Sequence, residues 1–161
     1  MDREIAKMKE KVLQTEKIKI LFLCTGNSCR SQMAEAWARR LQTDRIEPHS
    51  AGVDPKGIDP KAIEAMAEAG IDISTQISKS IDDLGNLEFD YVITLCDNAR
   101  EACPFFPAKT RVVHAGFDDP PRLAEGSQTE EEAMAHYRRV RDEIRTFVEK
   151  LPELLAENTQ Q

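Results

Sequence analysis

The hydrophobic pattern switches between two periods along the chain, and each switch coincides with glycine, proline or short polar residues. Ile18 to Leu23 is a continuous apolar run broken only by Lys19, the pattern of a strand covered on both faces. Ser31 opens a helical pattern to about Leu41, with Met33, Ala34, Trp37 and Leu41 on one face. A short strand follows from Ile46 to Ser50, ending at Ala51-Gly52. Asp59 then reads as an N-cap, Pro60 as the first helical residue and Gly70 as the stop, with Ile63, Met66 and Ala67 as the buried stripe. After an irregular stretch with one short helix near Ser80 to Leu84, Tyr91 to Leu95 and Arg111 to His114 read as strands. Thr129 and Glu132 form a capping box for a long last helix, whose stripe is Ala133, Tyr137, Val140, Ile144, Phe147 and Leu151. Pro152 is expected to end or kink it. Before all of this, Ile5, Met8, Val12 and Leu13 mark an amphipathic N-terminal helix. Strands alternating with helices imply α/β architecture, a mostly parallel sheet covered on both faces. We expect three segments: a helical extension at 1–16, the main domain at 17–155 and a disordered tail at 156–161.

Composition narrows the function classes. The chain has 161 residues and a formal net charge of −7, which argues against nucleic acid or an anionic membrane as partner. The apolar run at Ile18 is too short to cross a bilayer, and the charged start Met1-Asp2-Arg3-Glu4 does not read as a secretory signal. The expectation is a cytoplasmic monomer. Of the four cysteines, Cys24 and Cys29 are separated by four residues and Cys96 and Cys103 by six. Neither spacing suits paired zinc ligands, so no metal is expected and reactive thiols are the better reading. His49, His114 and His136 also lack ligand spacing and read as structural or surface residues.

Strand order places the chemistry. In a parallel sheet the carboxyl ends of the strands share one edge, where ligands bind. Cys24 follows the first strand, Cys96 the third, and Asp118-Asp119 follow the fourth closely. Between Cys24 and Arg30, the residues Thr25, Gly26, Asn27, Ser28 and Cys29 can wrap their N–H groups around an oxyanion at a helix N-terminus. That field favours the Cys24 thiolate as nucleophile. Arg30 offers a planar fork for two oxygens of the anion. Ser31 could cap the helix or donate to the Cys24 sulfur, and the Cys29 side chain reads as a bystander. Cys96 and Cys103 are either unrelated thiols in a polar loop or a dithiol in which Cys96 attacks Cys24 and Cys103 then attacks Cys96. Adjacent strands about 4.8 Å apart allow Cys96 to reach Cys24. An acid is needed to protonate a departing oxygen, and Asp119, fixed by Pro120, is preferred over Asp118.

With these residues in place, the chain from Lys17 to Leu155 resembles the low-molecular-weight protein tyrosine phosphatase superfamily, and more closely its thioredoxin-coupled arsenate reductases. The Cys24-to-Arg30 loop with Ser31 carries the first resemblance, and the Cys96 and Cys103 pair the second. His49-Ser50-Ala51-Gly52 and Gly116-Phe117-Asp118-Asp119-Pro120 are similar to the reductase versions of those segments. Tyrosine phosphatases usually carry a tyrosine after Asp-Pro, whereas this chain has Pro121. The resemblance implies a four-stranded parallel sheet with helices on both faces. It also implies arsenate as substrate, a Cys24–Cys96 and then a Cys96–Cys103 disulfide, thioredoxin as reductant, and no cofactor. Some relatives bind potassium through positions corresponding to Asn27, Glu35, Ser50 and a carboxylate at 79. This chain has Lys79, whose ammonium is expected to replace that ion beside Glu35 and steady Asn27. The competing readings are a phosphatase acting through a cysteinyl-phosphate and a redox sensor that uses the same thiols without turnover.

Overall fold

The computed structural model describes residues 16–159, so the N-terminal extension lies outside the described residues. Four strands form one sheet: β1 (Ile18–Cys24), β2 (Ile46–Gly52), β3 (Tyr91–Thr94) and β4 (Arg111–His114). Their order is β2-β1-β3-β4 and every pairing is parallel. β1 and β3 are the two inner strands, and β1 is buried at four successive apolar positions. Ile20, Leu21, Phe22 and Leu23 are all 0% exposed. Successive side chains point to opposite faces. Ile20 and Phe22 accordingly join the large core, while Leu21 and Leu23 join a small one on the other face.

Six α-helices cover the sheet among the described residues: α1 (Arg30–Leu41), α2 (Pro60–Glu68), α3 (Asp97–Glu101), α4 (Pro120–Ala124), α5 (Glu130–Glu149) and α6 (Leu151–Thr159). The cover is uneven. α1, α2, α5 and α6 build the large core with residues of β1 and β3, and α4 packs Ala124 against it. The small face is closed by α3 and by residues such as Phe89, Ile81, Leu84 and Phe106.

Several details differ from the sequence expectation, each for a physical reason. α1 is buried almost all round from Arg30 to Ala38, because its first turns lie inside the molecule rather than on a layer surface. α2 buries Ala62, Ala65 and Met66, leaving Ala67 exposed and Ile63 half-buried. Two short helices, α3 and α4, occupy segments that read only as polar loop and turn. The capping box is shifted by one residue: Thr129 accepts from Glu132 N at 3.1 Å, but Glu132 reaches back to Gln128 N at 2.9 Å. The long helix breaks at Lys150, and Pro152 lies in the first turn of α6, where its missing N–H costs nothing. Buried Leu151 and Leu155 anchor that helix, and it runs through Thr159. Residues 156–159 are therefore helical, in place of the tail expected there.

Candidate active site

The loop joining β1 to α1 is shaped by what holds its carbonyls. Cys24 O accepts from Val53 N (3.1 Å), Thr25 O from Asp54 N (2.8 Å), and Gly26 O from Lys56 N (2.9 Å) and Ser78 Oγ (3.1 Å). Asn27 O accepts from Gln32 Nε2 (3.0 Å) and Ser28 O from Asp59 N (2.9 Å). Five successive carbonyls are thus drawn outward. A trans peptide sets its C=O and the following N–H in opposite directions, so the N–H groups of Thr25 through Cys29 turn inward. Among the described residues none of these five has an acceptor. An anion supplies one.

The packing behind the loop is tight. Gly52 ends β2 opposite Cys24, and a Cβ there would lie 2.7 Å from both Asn27 N and Thr25 O. Asn27 takes a left-handed φ of 46°, which asparagine tolerates better than most residues. Its side chain holds it there, donating to Ser31 Oγ (2.8 Å) and accepting from Lys79 N (2.9 Å). Ser31 therefore does not cap α1, whose N-cap position is Cys29. Having accepted from Asn27, its hydroxyl keeps its own hydrogen to donate.

Arg30 is 7% exposed. Its Nη1 donates to Phe117 O at 2.7 Å and its Nη2 lies 3.5 Å from Asp119 Oδ1. Among the described residues its buried Nε has no partner, an expensive state unless a ligand oxygen meets it. The two aspartates are separated by their contacts. Asp119 faces Arg30 and makes no side-chain cap bond to α4, while Asp118 is tied to Arg139 on α5 at 3.0 Å. Thr25, Arg30, Cys96, Asn98, Asp119 and Arg122 line a cleft of about 680 Å³.

Three of the four thiols meet at the small core. Cys24 and Cys96 belong to it and Cys103 packs against it, while Cys29 belongs to the large core. All four are free thiols. Cys96 Sγ accepts from Ala99 N at 3.3 Å and lies 3.3 Å from Thr25 Oγ1, which itself accepts from Asn98 Nδ2 at 3.0 Å. The hydrogen bond from Cys24, then those from Thr25 and Ala99, lower Cys96 to about 5 against the pull of burial. The same thiol–thiol bond and burial push Cys24 up, with Arg30 opposing. The contact between the two sulfurs thus acts in opposite directions on them, lowering Cys96 and raising Cys24. Burial pushes Cys103 up, and burial followed by Asp59 pushes Cys29 up.

Lys79 Nζ lies 3.7 Å from Glu35 Oε1, which also accepts from Ser50 Oγ at 2.8 Å; Arg39 reaches Glu35 Oε2 at 3.1 Å. The pairing expected from the sequence is present. Asn27, however, is held by the Lys79 backbone N–H rather than by its ammonium.

Residues 19–161 match the low molecular weight phosphotyrosine protein phosphatase family. The chain belongs to this family. A protein of Halalkalibacterium halodurans named arsenate reductase is 51% identical over 134 residues, covering 81% of this chain and 94% of that relative. A solved structure described as an arsenate reductase in the phosphate binding state has a TM-score of 0.65 at 31% identity, covering 83% of this chain and 95% of its own. The thioredoxin-dependent arsenate reductase of Corynebacterium glutamicum has a TM-score of 0.62 at 25% identity, covering 88% of this chain and 63% of its own.

Sequence reasoning passed over several residues that the geometry singles out. Gln32, 0% exposed, spends its amide on Asn27 O and Ile77 O. Asn98 orients Thr25, and the strap 53–59 holds four of the five loop carbonyls. Gly52 was the visible signal, since glycine ending a strand marks a close backbone approach.

Proposed function

We propose that this protein reduces arsenate to arsenite by a relay of Cys24, Cys96 and Cys103, regenerated by thioredoxin. The observation that carries the reading is the meeting of those three thiols on one small core beside an anion-shaped loop. The arsenate reductase relatives support the substrate, and the thioredoxin-dependent one supports the reductant.

The inward N–H groups and Arg30 hold the arsenate. The Cys24 proton passes to a substrate oxygen, and Cys24 sulfur bonds to arsenic while that oxygen leaves as water, its second proton supplied by Asp119. Cys96 thiolate then attacks Cys24 sulfur. The S–S bond forms, the S–As bond breaks, and its electron pair stays on arsenic, which leaves as arsenite. Cys103 attacks Cys96, Cys24 departs as thiolate, and the Cys96–Cys103 disulfide is reduced by a dithiol, which is oxidised in turn. Two thiols supply the two electrons. We place this cycle in the cytoplasm, where the thiol pool is reduced, and assign it to a monomer. None of the described helices is long and apolar enough to cross a membrane.

A thioredoxin- and NADPH-coupled assay with arsenate tests the relay in wild type and in single Cys→Ser variants. Cys24→Ser and Cys96→Ser should release no arsenite, and Cys103→Ser should stop after one turnover with Cys24 joined to Cys96. Sustained turnover by Cys103→Ser would refute the relay. The loop and Asp119 alone suffice to hydrolyse phosphoesters, so a phosphatase side activity should survive in Cys96→Ser and Cys103→Ser.

A further inference from the structure

Behind the anion loop, Tyr137 and Asp59 form a contact that the thiol relay does not use. Tyr137 projects from α5, is 2% exposed, and donates its hydroxyl hydrogen to Asp59 Oδ2. Asp59 Oδ1 caps α2 by accepting from Lys61 N at 2.9 Å. The Asp59 N–H donates to Ser28 O at 2.9 Å. One residue therefore ties together α5, the start of α2 and the last outward carbonyl of the loop.

Two physical consequences follow, and both favour an anion in the cradle. Pulling Ser28 O outward turns the Cys29 N–H inward, because the two are antiparallel across a trans peptide. Fixing the Asp59 side chain from two sides fixes its backbone, and so fixes that peptide plane. The second consequence is electrostatic. Asp59 carries a negative charge under a loop that must accept another, and this charge already helps to push up the buried Cys29 thiol. A hydroxyl donating into the carboxylate takes up part of that charge. Burial and the Asp59 contact keep Tyr137 above the ordinary phenol range, so it remains a donor at any working pH.

We propose that Tyr137 is a positioning residue for oxyanion binding, acting through Asp59 on the Ser28–Cys29 peptide. This rests on the reading of the Cys24-to-Arg30 loop as the oxyanion cradle. The test is calorimetric titration of the reduced full chain with inorganic phosphate, together with arsenate kinetics and melting temperature, for wild type, Tyr137→Phe and Asp59→Asn. Tyr137→Phe should weaken phosphate binding and raise KM for arsenate by about three- to tenfold, with kcat within about twofold. Asp59→Asn retains the backbone N–H and an acceptor for Tyr137 while removing the charge. It should bind phosphate as tightly as wild type, or more tightly. A Tyr137→Phe variant with a lower melting temperature but unchanged Kd and KM would overturn the proposal, as would a loss in Asp59→Asn equal to that in Tyr137→Phe. If wild type itself bound no phosphate, the cradle reading would fall and the proposal with it. Binding in wild type that Tyr137→Phe leaves untouched would remove only the proposal.

Discussion

Asn98 Nδ2 donates to Thr25 Oγ1 at 3.0 Å, and the same oxygen lies 3.3 Å from Cys96 Sγ. The first contact assigns the second. An oxygen that accepts from the amide directs its own hydrogen at the sulfur, so Thr25 becomes a donor to the Cys96 thiolate. After the Cys24 contact, this is the next bond that lowers Cys96.

That assignment predicts a pH profile for the disulfide-forming step. The reactive form of Cys96 is deprotonated. Once Cys24 is bonded to arsenic it no longer donates to Cys96, so the bonds from Thr25 and Ala99 and the Arg30 charge are what remain to hold that thiol down. Single-turnover arsenite release should fall as acid protonates the thiolate. Thr25→Val keeps the loop N–H and removes the donor, moving the inflection up by about one unit, or about 1.4 kcal/mol. The ratio of the rate at pH 7.5 to that at pH 5.5 should then grow, by at most about tenfold. Asn98→Ala should shift the profile in the same direction but less, since its contact is exposed to water. Superimposable profiles for Thr25→Val and wild type would show that the hydroxyl does not tune Cys96.

The two adjacent aspartates should separate cleanly on substitution. Both line the cleft, but Asp119 lies 3.5 Å from Arg30 whereas Asp118 is spent on Arg139. With phenyl phosphate, whose leaving group needs a proton, Asp119→Asn should slow hydrolysis by about a hundredfold and Asp118→Asn by less than about threefold. Equal losses would mean that the acid has been misassigned.

Much of this was legible in the sequence because it depends on local pattern. The apolar run at Ile18, broken only by Lys19, marked a strand covered on both faces, and strand order alone brought Cys24, Cys96 and Asp119 to one rim. What escaped were features fixed by contacts between distant residues. The opposite shifts of Cys24 and Cys96 depend on a hydrogen bond between residues 72 positions apart in a chain of 161. The outward carbonyls depend on a strap at 53–59 whose sequence, Val-Asp-Pro-Lys-Gly-Ile-Asp, reads only as a loop. α3 is too short, at five residues, to show a helical period, and its N-cap is a cysteine rather than a usual capping residue.

Gly52 is the position where a single methyl group should do most harm to the loop. A Cβ would come within 2.7 Å of Asn27 N and Thr25 O, both backbone atoms that have no rotamer to escape into. Gly52→Ala should cost about 1–3 kcal/mol of stability and abolish measurable phosphate binding even in the folded fraction. Thermal melts and calorimetry on the same preparation check this. Retention of phosphate affinity would show that the loop can shift as a unit.

The cation beside Glu35 offers the last test. Lys79 Nζ approaches Glu35 Oε1 at 3.7 Å, and its side chain is only 21% exposed. Ser50 and Arg39 complete the surroundings of that carboxylate. A covalently attached ammonium leaves no unmet charge for a free ion, so potassium chloride should not change turnover relative to choline chloride at equal ionic strength. Lys79→Asp places two carboxylates together and should make both activity and melting temperature rise with potassium. Lys79→Ala, with Arg39 still in place, should lower the melting temperature by about 2–4 °C, corresponding to about 1 kcal/mol. Its backbone N–H still holds Asn27, so arsenate KM should change little. Clear stimulation of the wild-type enzyme by potassium would reject the assignment, because it would require a site that the lysine already fills.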